Sequence, residues 1–140
     1  MRFIPKILLG DLMKKIKEYF IVYSLGSVIY ALIEVVWRGF THWTMAITGG
    51  IAFLALYITN IKLKTESLFH KCLKGALIIT ALEFVVGIIV NKILKWHVWD
   101  YSARPLNIMG QVCPLFFAFW FVLCYPGYFL CNKIKKYLKV

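Results

Sequence analysis

Trp96-His97-Val98-Trp99-Asp100-Tyr101-Ser102-Ala103-Arg104-Pro105-Leu106-Asn107-Ile108-Met109-Gly110-Gln111 is where polar, aromatic and turn-forming side chains crowd together, and strongly apolar runs lie on both sides of it. In a soluble protein such a stretch is an ordinary loop. Composition decides otherwise. Of 140 residues, 61% are hydrophobic and the mean hydropathy is +0.75, against about 45–50% apolar residues in a soluble domain. Too little polar surface remains to clothe a water-soluble fold, so the excess must face lipid. The stretch 96–111 is then a short connection at the water boundary.

Working outward, four apolar spans emerge, at 19–37, 43–61, 73–94 and 106–131. Each is near the ~20 residues that cross ~30 Å of hydrocarbon at 1.5 Å per residue. The predicted fold is all-α, a single transmembrane domain over 1–140 built as a four-helix bundle. Residues 1–18 are basic and amphipathic, with Leu8, Leu12 and Ile16 on one side and Lys6, Lys14 and Lys17 on the other. They predict a helix lying on the membrane surface, lysines toward anionic headgroups. A cleaved signal peptide fits less well, because no small-residue cleavage site follows the first apolar run.

The formal net charge is +11. The basic residues flank apolar runs, which favours a membrane surface as partner and not nucleic acid. Arg2, Lys6, Lys14, Lys15 and Lys17 precede span one. Lys62, Lys64, Lys71 and Lys74 surround the middle connection, and Lys133, Lys135, Lys136 and Lys139 form the tail. The two other connections hold only Arg38, Lys92, Lys95 and Arg104. Thirteen against four puts both termini in the cytoplasm of a multi-pass plasma-membrane protein, with His42 and His97 outside. Cys72, Cys113, Cys124 and Cys131 form no CxxC pair and read as small packing residues.

Each span carries one polar or small-residue stripe, and such stripes pack inward because polar groups are costly in lipid. Span one has Tyr23, Ser27, Tyr30, Glu34 and Arg38, and span three has Thr80, Glu83, Gly87 and Asn91, each within an arc of about 80°. Span four places Asn107, Gln111, Pro114, Ala118 and Tyr125 on one face. Glu83 sits about ten residues, or ~15 Å, from the cytoplasmic end of its helix, close to the midplane. An intramembrane carboxyl costs at least ~2.5–3.5 kcal/mol on insertion scales, so it is paired, protonated or functional. Two readings stand together. In one, Glu34 pairs with Arg38 and Glu83 is a structural hydrogen-bonder. In the other, one carboxylate is the proton- or cation-coupling group of a transport site. The expected site is an outward-facing polar pocket of Glu34, Arg38, His42, Glu83, Asn91, Asp100, Arg104, Asn107 and Gln111.

Metal and catalytic readings are weaker. His42 lies on a different connection from His97 and Asp100, without HxxxH or HxH spacing, and Ser102 lacks a GxSxG elbow. No metal, cofactor or catalytic residue is expected.

Gly26, Ser27, Tyr30, Glu34, Arg38, Gly39, Thr41, His42, Trp43, Met45, Gly49 and Gly50 form one motif. Glu83, Gly87, Asn91, Trp96, Trp99, Asp100, Tyr101, Ser102, Pro105, Asn107, Gly110, Gln111, Cys113 and Trp120 form a second. Over residues 25 to 120 the chain thereby resembles the CmpB-like small bacterial membrane proteins, the putative ABC-transporter type IV permeases. The resemblance implies substrate transport and an ATPase partner. The chain has no P-loop of its own, and the short basic connection 62–74 offers an ATPase little to dock on. The leading expectation is a small permease-like protein moving a small solute or ion, as a homodimer, since four short helices hardly enclose a pathway alone. The alternatives are a non-transporting accessory protein that recognises a lipid headgroup or protein partner, and an intramembrane lipid-modifying enzyme.

Overall fold

The computed structural model describes residues 5–140; residues 1–4 of the expected surface helix lie outside that range. Four helices follow in order: α1, Lys6–Arg38; α2, Trp43–Lys62; α3, Leu68–Gly87, which runs on into a π-helical turn Ile88–Ile93; and α4, Pro114–Leu138. All four are long and apolar enough to cross a membrane. Among the described residues the only β pairing is one isolated bridge, Ile108 with Val112.

α1 differs from expectation. Its 33 residues span about 50 Å, roughly 20 Å more than the hydrocarbon core. The basic N-terminal segment is therefore the first third of a single helix and not a separate element. Pro5 sets the start with φ −56°, and nothing between Lys6 and Arg38 breaks the hydrogen-bond ladder. Residues 6–17 are exposed; burial begins at Glu18. Gly39 ends the helix in the left-handed region, φ +80°, its N–H donating to the Val35 carbonyl, a conformation that costs glycine nothing. Three residues later His42 caps α2 by accepting from the Thr44 N–H, and Ser67 caps α3 by accepting from the His70 N–H, each satisfying an orphan donor.

The fourth span is displaced most. Helix was expected from 106, yet α4 starts at Pro114 and continues to Leu138. Leu106, Met109 and Gly110 take positive φ, which no right-handed helix tolerates, and proline is suited to the first helical position. α3 likewise starts five residues before the expected 73.

α1 and α2 pack closest. A Cβ on Gly49 would lie 2.1 Å from Tyr30 Cβ, and one on Gly26 2.4 Å from Phe53 Cβ. Only hydrogen fits at these crossings, so the two backbones approach directly, as small residues allow in lipid. α2 also touches α3 and α4, and α3 packs on α4. α1 and α4, by contrast, meet through side chains: Tyr30 on Trp120 and Trp37 on Phe119. The core runs through Val22, Phe53, Leu56, Tyr57, Ile79 and Tyr128. All four cysteines are free and buried, as packing residues would be. Exposed Phe20, Val36, Ile51, Val85, Val122 and Phe129 clothe the outside of the helices in apolar surface.

Candidate functional site

Glu83 lies inside the bundle, 2% exposed, on the same buried face as Gly87 and Asn91. Helices distant in sequence supply its partners. The Tyr30 hydroxyl of α1 donates to Oε1 at 2.8 Å, and the Trp120 indole N–H of α4 donates to Oε2 at 3.1 Å. The two rings stack on each other, centroids 5.4 Å apart and 19° from parallel. Each carboxyl oxygen thus has one donor, which is what a carboxyl removed from water requires. Neither of the two ion pairs among the described residues includes Glu83: Arg38 pairs with Glu34 and Lys74 with Glu66. Thr80, expected on the same face, is only half-buried.

A second polar level sits at the C-terminal end of α1. Glu34 and Arg38 are 2.5 Å apart across one helical turn. Arg38 also donates through Nη1 to the Val98 carbonyl at 2.7 Å and lies over the Phe40 ring. The guanidinium therefore points to the connection after α3 and not down to Glu83.

That connection holds most of the remaining candidates. Asn91, in the π-helical turn that leads into it, is buried as its place on the inward stripe predicts. Its Nδ2 donates to Gln111 Oε1 at 2.8 Å, and its Oδ1 accepts from the Val98 N–H at 2.7 Å. Gln111 donates to the Met109 carbonyl, and its own carbonyl accepts from the Trp99 indole. Asn107 donates to the carbonyls of Ser102 and Arg104 and accepts from the Gly110 N–H. Asp100 accepts from the Ser102 N–H at 2.8 Å. The Ser102 hydroxyl and N–H hold this carboxyl below its ordinary range. Lys95, His97, Leu106, Met109 and Gly110 all adopt positive φ, so the backbone here has no helix or sheet to bond with. Amide and carboxylate side chains meet that demand. Arg104 is exposed near the Phe116 ring, and His42 caps α2 beside Trp43 and Trp96.

The nine expected residues are thus gathered in four places: Glu83 in the interior, Glu34 with Arg38 at the end of α1, His42 at the start of α2, and Asp100, Arg104, Asn107 and Gln111 on the connection with Asn91 in the π turn that leads into it. Tyr30 and Trp120, which hold Glu83, were visible only as a stripe residue and a motif residue. Two polar clusters had no place in the sequence reading. Glu18, 7% exposed, accepts from the Tyr57 hydroxyl. Asn60 accepts from Lys71 Nζ at 2.5 Å and donates to Asn132 at 2.8 Å. An asparagine near the end of each of two apolar runs was the available signal.

A cleft of about 180 Å³ lies between α1 and α4, with α2 as its floor, lined by both donors of Glu83 and not by Glu83 itself. Ile33, Phe53, Leu123 and Gly127 line it, and the stacked Tyr30 and Trp120 rings form part of its wall. It exists because α1 and α4 do not pack backbone to backbone and because Gly26, Gly49 and Gly127 bring no side chain into it.

No curated protein and no solved structure gives a significant match to the chain. The family model described as "Putative ABC-transporter type IV" matches residues 16–139, from the buried part of α1 to the end of α4 and across both Glu83 partners. The protein is a multi-pass, all-helical membrane protein, and it belongs to that family.

Proposed function

We propose that the protein is the membrane subunit of a transporter for a small solute, taking its substrate into the cleft between α1 and α4 with Glu83 as the responding group. One observation carries this reading: a buried carboxyl bridging three helices through Tyr30 and Trp120, whose rings also wall the cleft. A group bonded across helices reports on their relative position, so occupying the cleft and rearranging the bundle are linked. The cytoplasmic ends of α2, α3 and α4, tied by Asn60, Lys71 and Asn132, are where an ATPase partner would press on the bundle. A homodimer would complete the pathway, since one chain has few helices to enclose it. A non-transporting accessory role is the second reading, favoured by the polar side chains of the 94–113 connection being bonded to their own backbone.

Reconstitution tests this. Liposomes containing the full chain and an imposed pH gradient are challenged with small cations, zwitterions and neutral solutes. At least one solute should collapse the gradient with the wild type and not with Gly127→Leu, which fills the cleft. A gradient equally stable to every solute in both preparations would leave the accessory role. Orientation is tested separately. With both termini cytoplasmic, His97→Cys is labelled by an impermeant maleimide in intact cells; labelling only after permeabilisation reverses the topology.

A further inference from the structure

We infer that the α1–α4 cleft is a site for a small lipophilic organic cation, seated against the Tyr30 and Trp120 rings that donate to Glu83. The inference rests on the cleft reading above and names its ligand class. Three observations carry it. The cleft is lined almost wholly by apolar groups, and an apolar cavity of about 150 Å³ holds a benzene ring, so about 180 Å³ accepts one ring with a compact head. Its wall includes the Tyr30 and Trp120 rings, each covering one face of the other, and the face that each ring keeps free attracts quaternary ammonium groups through its electron-rich centre. Both rings donate a hydrogen bond to a carboxyl that lacks a cation, unlike Glu34 and Glu66, each of which has one at 2.5 Å. Glu18 also lacks one but bonds to Tyr57 at the cytoplasmic side, with neither Glu18 nor Tyr57 lining the cleft.

A lipid acyl chain would match the apolar lining alone. It would make no use of the aromatic wall or of the uncompensated carboxyl, and a cation uses all three. The cleft opens on one side between α1 and α4, flanked by exposed Pro126, so a lipophilic guest reaches it from the bilayer without crossing the 94–113 connection.

The test compares benzyltrimethylammonium with neopentylbenzene, its neutral carbon isostere, both radiolabelled, on the purified full chain in detergent. Saturable binding of the cation is expected, with the isostere at least tenfold weaker. Glu83→Gln should weaken cation binding at least tenfold. Gly127→Leu should abolish it, since a Cβ there meets only Leu56 at 3.6 Å and the longer side chain enters the cleft. If the two probes bind equally, and Gly127→Leu blocks both, the charge preference is overturned while the cleft remains a binding site. If neither probe binds, or Gly127→Leu changes nothing, the inference and the cleft reading fall together. Should Glu83→Gln not fold, the wild-type comparison of charged and neutral probes decides by itself.

Discussion

The surroundings of Glu83 and the connection 94–113 are both rich in polar side chains, but they connect different things. The partners of Glu83 lie 53 and 37 residues away in sequence, on two other helices. Those of Asn107 lie three to five residues away, on the same turn. In lipid a helix already satisfies its own backbone, so a polar side chain there is free to bond across helices and determines how they are arranged. An irregular segment leaves its backbone unsatisfied, and its polar side chains are taken up locally. The density of polar residues marked the connection, whereas the long-range contacts mark the interior.

The comparison can be broken experimentally, and the largest effect is expected where helices touch. Gly49→Val inserts atoms where a Cβ alone would lie 2.1 Å from Tyr30 Cβ; overpacking of this kind costs about 3 kcal/mol or more. SDS-titrated unfolding followed by far-UV circular dichroism measures it. In contrast, Gly10→Ala, where nothing lies within 4 Å, should stabilise α1 by up to ~1 kcal/mol through helix propensity. Equal effects at the two glycines would mean that α1 and α2 do not cross so closely.

Next in size is Glu83→Ala. It leaves the Tyr30 hydroxyl and the Trp120 indole without an acceptor, for a loss of about 2–3 kcal/mol. Glu83→Gln should cost ~1 kcal/mol or less, because an amide can accept from Trp120 and donate to the Tyr30 oxygen. In the same unfolding assay, similar losses for Ala and Gln would show that charge and not hydrogen bonding holds the three helices. Asn107→Ala comes third, at about 1 kcal/mol. Its effect should stay local, with faster amide exchange at Gly110 and unchanged exchange in α3. Exchange that rises throughout α3 would erase the distinction between the two regions.

The smallest effect is at Asp100, which is exposed. Its carboxyl is held below the ordinary range by the Ser102 hydroxyl and N–H. A lowered folded value means that the contribution is present above the unfolded value and lost as pH falls through the folded one. The Ser102 amide NMR shift should therefore titrate with a midpoint below the ~3.9 of a free aspartate. A midpoint at or above that value would remove the Asp100 turn from the account of the connection.

Much of this molecule was legible from residue order. Run length and hydropathy located four spans, and 100° periodicity put Glu83, Gly87 and Asn91 on one inward face, because lipid selects for apolar surface one residue at a time. α4 was misplaced for the same reason. Leu106, Ile108, Met109 and Val112 are as apolar as helix residues, and hydropathy cannot register that Leu106 and Met109 adopt left-handed conformations. Those conformations depend on Asn91 and Gln111 joining the connection to the end of α3, a tertiary event. The same holds for the length of α1, whose continuity past Glu18 depends on an unbroken hydrogen-bond ladder and not on hydropathy. It holds too for Tyr30 and Trp120. The amino-acid order could show that Glu83 needed donors, but which side chains supply them, and that an open cleft lies beside them, follows from α1 and α4 meeting only through side chains.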